Sequence, residues 1–192
     1  MKKLFLIAAA LLTVGFAHAQ MSTSVGYVNT IIHDWDETFH INGFNVEFNY
    51  DYNLAGDFYV SAGAGFGMSL YQETFNDSVF NVRVCDFSIP VDLNYRFNLG
   101  SNLKLNIYAG PTFMIGLSHT FYFDGKKDAD YYSNSNWPLK RFNVLLGGGV
   151  SLDIKDHYRI KVGYKKGLLE LDKTGESPYK KDYFTASVGY IF

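Results

Sequence analysis

The chain has 192 residues and a formal net charge of −2, and it contains 17 Phe, 15 Tyr and 18 Gly. This length indicates one domain, and the single cysteine, Cys85, excludes an internal disulfide framework and a zinc site built from several cysteines. The near-neutral charge provides no basic field, so no nucleic-acid partner is expected. The abundance of aromatic residues and glycine favours strands and turns over helices.

The first 19 residues have the composition of a secretory signal peptide. Two lysines precede an apolar run over residues 4–17, and residues 17–19 form a small-x-small cleavage site. The apolar run is shorter than the roughly 20 residues that a membrane-spanning helix needs. We therefore expect cleavage between Ala19 and Gln20, which leaves a single domain over residues 20–192.

Apolar and polar residues alternate with a period of two through nearly all of the remaining chain. In residues 44–54, six apolar or aromatic side chains fall on one face and five polar side chains on the other. This is the pattern of a strand with one apolar and one polar face. The same alternation predicts eight strands, at residues 22–32, 44–54, 58–70, 85–97, 103–115, 142–154, 158–166 and 184–192.

The predicted connections alternate in length. Tight turns containing Gly, Asn or Asp occupy residues 54–57, 98–102 and 155–157. Longer polar loops are predicted at residues 33–40, 72–81, 118–140 and 171–180. Short turns at one end and long loops at the other, with both termini at the short-turn end, are typical of outer-membrane barrels. The predicted fold is all-β, an eight-stranded antiparallel up-and-down transmembrane β-barrel.

Two barrels fit this alternation: a membrane barrel with its apolar face towards lipid, and a soluble ligand carrier with its apolar face inside. The polar face carries Glu47, Asp92, Arg96, Asp153 and Lys161, which would line an apolar ligand cavity poorly. Apolar runs of about 10 residues match tilted strands that cross a layer roughly 25 Å thick. Aromatic residues gather near the short turns, as in the girdle at a bilayer interface: Tyr50, Tyr52, Phe58, Tyr95, Phe97, Tyr158, Tyr190 and Phe192.

Short motifs in the second half of the chain carry a family resemblance. Residues 88–97 read Ser-Ile-Pro-Val-Asp-Leu-Asn-Tyr-Arg-Phe, and residues 108–111 read Tyr-Ala-Gly-Pro. They resemble the outer-membrane β-barrel domain family common in Bacteroidetes, whose members include barrels of the OmpA and OmpX kind. Residues 159–168 are similar to the penultimate strand of PorT-like members. The resemblance implies this fold and an outer-membrane location in a Gram-negative bacterium, and it implies no shared activity.

The last strand resembles an assembly signal. Its apolar positions alternate up to Tyr190 and the terminal Phe192. This ending is similar to the insertion signal that the outer-membrane barrel assembly machinery reads. The resemblance makes that machinery an expected partner during biogenesis.

Several inward charges are predicted at similar heights in the barrel. Eight strands enclose a lumen just wide enough to be filled by side chains, so no open pore is expected. Inward charges must be paired or hydrated, and Glu47, Asp92, Lys161 and Lys165 lie at comparable distances from the short turns. We predict a lumen ion-pair network among these four side chains. The alternative, in which some of them are hydrated, stays open because the strand stagger cannot be read from sequence.

No pattern indicates a catalytic, cofactor-binding or metal site. Ser118 and His119 raise the possibility of a lipid-modifying enzyme, but neighbouring side chains on a strand point to opposite faces. Tyr131, Tyr132 and Trp137, in the predicted loop 118–140, are candidate surface contacts. They can equally belong to extensions of the strands.

These observations predict an integral outer-membrane barrel with a structural or interaction role carried by its extracellular loops. The expected partners are outer-membrane lipid and lipopolysaccharide, together with an unidentified extracellular or periplasmic protein. Three alternatives remain: a lipid-modifying enzyme, a narrow porin-like channel and a soluble periplasmic ligand carrier.

Overall fold

The structure is a computed structural model that describes residues 19–35, 37–75, 78–133, 138–175 and 177–192. No helix within these ranges is long and apolar enough to span a membrane. The predicted signal peptide lies outside the described residues, apart from Ala19. The strands are β1 (Ala19–Asp34), β2 (Glu37–Ala55), β3 (Phe58–Phe75), β4 (Ser78–Gly100), β5 (Leu103–Phe123), β6 (Lys126–Asp130), β7 (Phe142–Ile154), β8 (Tyr158–Gly167) and β9 (Lys180–Ile191).

Eight of these strands close into an antiparallel ring. Consecutive strands pair along the chain, and β1 pairs with β9 from Ser22↔Ile191 to His33↔Lys180. β6 lies outside the ring, because it folds back on the upper part of β5 as a hairpin and leaves β5 to pair with β7. Ring closure leaves no free sheet edge in the spanning part. The predicted eight-stranded antiparallel barrel is confirmed.

The two faces of the wall are polar inside and apolar outside. Asn106 and Asp92 are buried in the interior, whereas Phe48, Leu93 and Val188 are more than half exposed on the outer surface. This distribution is what a barrel in lipid requires. It contradicts the soluble-carrier alternative, which needs apolar side chains to line the interior.

An aromatic girdle surrounds the end with the short turns. Phe58 packs edge-on against Tyr95, with ring centroids 4.7 Å apart, and Tyr95 packs in the same way against Phe97 at 4.6 Å. At the C-terminal end of β9, the Tyr190 and Phe192 ring centroids are 5.1 Å apart. The rings therefore form contacts between and along strands at the height where amphipathic aromatic side chains favour a bilayer interface.

The opposite end differs from the prediction. Long polar loops at 33–40 and 72–81 are wrong, because β1 to β4 continue through most of these residues as paired hairpins. The loop 118–140 begins with paired strand as well, since β5 reaches Phe123 and β6 follows. The apolar alternation ends where the strands leave the lipid, but antiparallel pairing continues because both faces can be solvated there. An isolated antiparallel bridge between Leu139 and Asp172 joins the segment between β6 and β7 to the segment between β8 and β9.

Candidate functional site

The four charges predicted to meet in the lumen lie next to one another halfway along the barrel. Lys165 Nζ donates to Asp92 Oδ1 at 2.6 Å and to Thr112 Oγ1 at 2.7 Å. Lys161 Nζ lies 3.5 Å from Glu47 Oε2 and 3.9 Å from Asp92 Oδ2. We call this group the lysine layer. The structure brings together Glu47, Asp92, Lys161 and Lys165.

A second charged layer lies nearer the short turns and was not predicted as a network. Arg159 donates to Asp153 through Nε at 2.6 Å and through Nη2 at 3.0 Å, and to Asp51 through Nη1 at 3.0 Å. Arg96 lies 3.7 Å from Asp153 and stacks over the Tyr59 ring at 4.6 Å. We call this group the arginine layer. Its bidentate contact is the geometry in which a guanidinium best offsets the desolvation of a carboxylate.

Two further ionisable side chains lie near the extracellular end of the lumen. Lys181 and Asp86 are both buried, and the Tyr183 hydroxyl donates to Asp86 Oδ2 at 3.1 Å. Lys181 Nζ lies 3.3 Å from His119 Nδ1. The lumen thus contains ionisable groups at three heights, each with polar partners contributed by other strands.

Two small cavities separate these groups. The larger, about 70 Å³, is lined by both lysines of the lysine layer, by Asp86 and by Asn45, whose Oδ1 has no protein partner among the described residues. A cavity of this size can hold several water molecules. The smaller, about 20 Å³, lies towards Arg159. Lys161 and Tyr108 line both cavities and therefore separate them.

Tyr108 can cross the lumen because glycines face it. Its hydroxyl donates to the Val162 carbonyl at 3.1 Å. A Cβ atom at Gly149 or Gly163 would lie only 2.6 or 2.2 Å from that hydroxyl. The absence of side chains at these two positions creates the space that the phenol occupies.

An aromatic and aliphatic cap covers part of the extracellular mouth. The Leu171 carbonyl accepts a hydrogen bond from Lys140 N at 2.6 Å, and Leu171 N donates to the Tyr179 carbonyl at 2.8 Å. Tyr132 reaches over Gly116, where a Cβ would lie 1.8 Å from the Tyr132 hydroxyl. We define the cap by the residues that pack together there: Tyr131, Tyr132, Leu139, Leu169, Leu171 and Tyr179.

Residues 9–172 match the family model described as outer membrane protein beta-barrel domain. The chain belongs to this family. It is an integral β-barrel protein of the outer membrane of a Gram-negative bacterium. The family match and the inverted faces overturn the soluble periplasmic carrier as an alternative.

Solved structures of other outer-membrane proteins share the fold. Ail, the attachment invasion locus protein of Yersinia pestis, in complex with the heparin analogue sucrose octasulfate, is 15% identical with a TM-score of 0.57, and the match covers 91% of this chain and 99% of Ail. Neisserial surface protein A is 15% identical with a TM-score of 0.54 and the same coverage of 91% and 99%. No curated protein matches the sequence significantly. At these identities the likeness shows the fold alone.

The cap changes the interpretation of the aromatic residues in this outer-membrane barrel. Tyr132 is only 7% exposed, so its prediction as a surface contact is wrong, because the space above Gly116 admits its ring into the mouth. Tyr131 packs against the same cluster. Burial raises the pKa of the Tyr132 and Tyr179 phenols above the ordinary value of tyrosine. Trp137 lies outside the described residues.

Ser118 and His119 do not form a nucleophile–base pair. The His119 ring faces the interior and lies 4.9 Å from the Tyr131 ring, whereas Ser118 Oγ lies 2.8 Å from Thr120 Oγ1. Their opposite directions follow from the pleat of β5. Within the described ranges, no group of three or more His, Cys, Asp and Glu side chains is placed to hold a metal ion. The geometry supplies no support for the lipid-modifying alternative.

The C-terminal residues lie on the outer surface of the girdle. Tyr190 stacks on the His157 ring at 5.7 Å, and Phe192 N donates to the Met21 carbonyl at 2.9 Å. The Phe192 side chain is 71% exposed. Its role as an assembly signal stays a prediction.

Proposed function

We propose that the protein is a non-enzymatic interaction protein, which presents its extracellular strand extensions to a partner while its lumen stays closed to solutes. The observation that carries this proposal is the contrast between the two parts of the barrel. In the spanning part, the two charged layers and Tyr108 fill the lumen and leave small cavities between them. The strands β3 to β6 continue beyond the apolar surface as a sheet with no spanning role.

The lumen charges have a structural role in this proposal. In a barrel with lipid outside, Glu47, Asp92, Lys161 and Lys165 act in place of an apolar core and tie β2, β4 and β8 together. Each charge offsets the desolvation of another, so the group is stable only as a set. Lys161 is the charge for which hydration, the alternative left open by the sequence, fits best. Its ion-pair contacts are longer, and it borders both cavities.

The test compares cells that produce the full protein with cells that produce a trimmed variant, in which tight turns replace residues 72–81 and 121–129. Both must show the gel-mobility shift on boiling that marks a folded barrel. Adhesion to immobilised extracellular-matrix proteins and heparin is measured, heparin being included because Ail was solved with a heparin analogue. We expect adhesion to be lost on trimming. Equal adhesion by both cells, solute-sized conductance steps in a planar bilayer, or lipid A modification would overturn the proposal.

Finer assignments belong to the same proposal. The motifs of residues 88–97 and 159–168 support a place among PorT-like proteins of Bacteroidetes. The sequence before Gln20 supports export followed by cleavage, which mass spectrometry of the mature N-terminus tests. The exposed Phe192 and Tyr190 support recognition by the barrel assembly machinery, and lipopolysaccharide is the expected outer-leaflet neighbour. Deletion of Phe192 should slow the appearance of the folded form, and unchanged kinetics would remove that assignment.

A further inference from the structure

The extracellular part of the wall is split between β2 and β3. Their ladder begins at Asn42↔Leu70, although β2 starts five residues before Asn42 and β3 continues five residues past Leu70. Both extensions are paired on their other sides, β2 with β1 and β3 with β4. Within the described ranges, residues 37–41 and 71–75 have no strand partner on the edges that face each other. Unpaired backbone edges of this kind are templates for an additional strand.

The strands that flank the split carry aromatic side chains on their inner faces. Phe39 lies two residues before the buried Ile41 on β2 and is 43% exposed. On the other side, Phe80 of β4 pairs with Phe123 of β5, and their ring centroids are 5.0 Å apart. Phe123 is 42% exposed. The walls therefore offer aromatic surface to a ligand above the lipid.

An apolar cluster closes the bottom of the same space. Val84 of β4 is fully buried between residues of both sides of the split. We define the split cleft as the space above this floor, bounded by residues 37–41 and 71–75 and by the aromatic walls. The floor consists of Ile32, Ile41, Tyr71, Val82, Val84 and Tyr179.

Carboxylates stand at the rim of the split cleft. Glu37 and Glu73 lie on the inner faces, because Glu37 is two residues from Phe39 and Glu73 two residues from Tyr71. The Tyr71 hydroxyl donates to Glu73 Oε2 at 2.8 Å, which fixes the direction of that carboxylate. Neither glutamate has an ion-pair partner among the described residues. The rim therefore complements basic side chains.

We propose that the split cleft binds an extended segment of an extracellular protein, which adds as a strand to the free edge of β2 or β3. The segment alternates apolar side chains, which pack on Phe39 and Phe123, with lysine or arginine near Glu37 and Glu73. Main-chain hydrogen bonds supply affinity in this mode, and the side-chain contacts supply selectivity. The inference rests on the proposed interaction function and names the site and the chemistry of the partner.

The first experiment uses a fluorescein-labelled nonapeptide in which lysine alternates with phenylalanine and valine. Its fluorescence anisotropy is titrated with the purified, folded full-length protein in detergent micelles, and the signal of protein-free micelles is subtracted. Two control peptides carry N-methyl groups on alternate backbone amides, or glutamate in place of lysine. We expect saturable binding of the first peptide and binding weaker by about tenfold or more for each control. Equal binding of the N-methylated peptide would overturn strand addition.

Two matched variants locate the site. Glu73→Lys should weaken binding of the basic peptide about fivefold by replacing attraction with repulsion. Glu170→Lys makes the same change of charge outside the split cleft, where Glu170 pairs with Lys180 at 3.7 Å, and should leave binding unchanged. Equal effects of the two variants would overturn the location. Both must show the heat-modifiable mobility of a folded barrel.

A second copy of the chain is the competing occupant. A dimeric mass in micelles that reverts to a monomer on Glu73→Lys would overturn the proposal in favour of self-association through the split cleft. Failure here is distinguishable from failure of the proposed function. If trimming abolishes adhesion but peptide binding ignores Glu73, then the interaction role stands and the split cleft is not its site.

Discussion

The arginine layer and the lysine layer each contain an ion pair at the same distance, in different surroundings. Arg159 Nε and Asp153 Oδ1 are 2.6 Å apart, as are Lys165 Nζ and Asp92 Oδ1. The arginine pair is bidentate, and its guanidinium also reaches a second carboxylate. Lys165 borders a cavity of about 70 Å³ that can hold water, whereas Arg159 borders one of about 20 Å³. The two distances therefore do not show which pair contributes more to stability. We expect the number of directed hydrogen bonds and the access of water to decide this.

The largest effect is expected for Arg159→Met. It leaves Asp51 and Asp153 buried, and Arg96 beside Asp153 is then the remaining ion-pair partner of either among the described residues, so the free energy of unfolding should fall by roughly 3–5 kcal/mol. Urea-induced unfolding in micelles, followed by the boiling-dependent gel shift, measures this loss. Arg159→Lys should recover only part of it, because an ammonium cannot reproduce the bidentate contact. If Arg159→Met lowered the free energy of unfolding by less than Lys165→Met does, the expected order of the two layers would be wrong.

Lys165→Met should cost less, about 2 kcal/mol, because Lys161 Nζ remains 3.9 Å from the buried Asp92 carboxylate, which also borders the smaller cavity, where water can reach it. The same unfolding assay measures it. The double variant Lys165→Met with Asp92→Leu should recover part of the loss, since no uncompensated carboxylate remains. A double variant less stable than the single one would show that the pair contributes more than the desolvation it offsets.

Lys161→Met separates the two members of the lysine layer. Its ion-pair contacts are 3.5 Å and 3.9 Å, and its ammonium also lies 4.5 Å from the Tyr108 ring centroid. We expect a loss of about 1 kcal/mol, because longer contacts and a cation–π interaction contribute less than a short charged hydrogen bond. The unfolding midpoint of Lys161→Met should therefore lie between those of Lys165→Met and the unmodified protein. A midpoint below that of Lys165→Met contradicts this order.

The barrel and the lysine layer could be predicted from the sequence, because both depend on the alternation of apolar and polar residues along the strands. Period two placed Glu47 and Lys161 inside, and counting from the short turns put them at similar heights, where the structure joins them. The partners of Arg159 were not predictable, because Asp51 is 108 residues away and the pairing depends on the stagger of the strands.

The extracellular end was predicted least well. Polar residues beyond Leu70 read as loop, yet they pair as strand, since ladder hydrogen bonds do not require an apolar face. Burial of Tyr132 depends on the space above Gly116, a contact between a turn and the barrel wall. A glycine in a strand could have marked a close approach, but it does not identify the side chain that approaches.

The smallest effect is expected for a third pair at 2.6 Å, between Lys104 Nζ and Asp156 Oδ1 at the short-turn end. The Asp156 side chain is 53% exposed, so Asp156→Asn should change stability by less than about 0.5 kcal/mol, and asparagine tolerates its positive φ of 58°. The hydrogen bond from Lys104 lowers the pKa of Asp156. The small contribution is therefore present above the ordinary pKa of an aspartate and is lost as the pH falls through the lowered value. Unfolding midpoints measured at neutral pH and below pH ~3 should differ less for Asp156→Asn than for the unmodified protein. Added salt should remove that difference, whereas it should leave the loss in Arg159→Met unchanged, because screening acts on exposed pairs and hardly on buried ones.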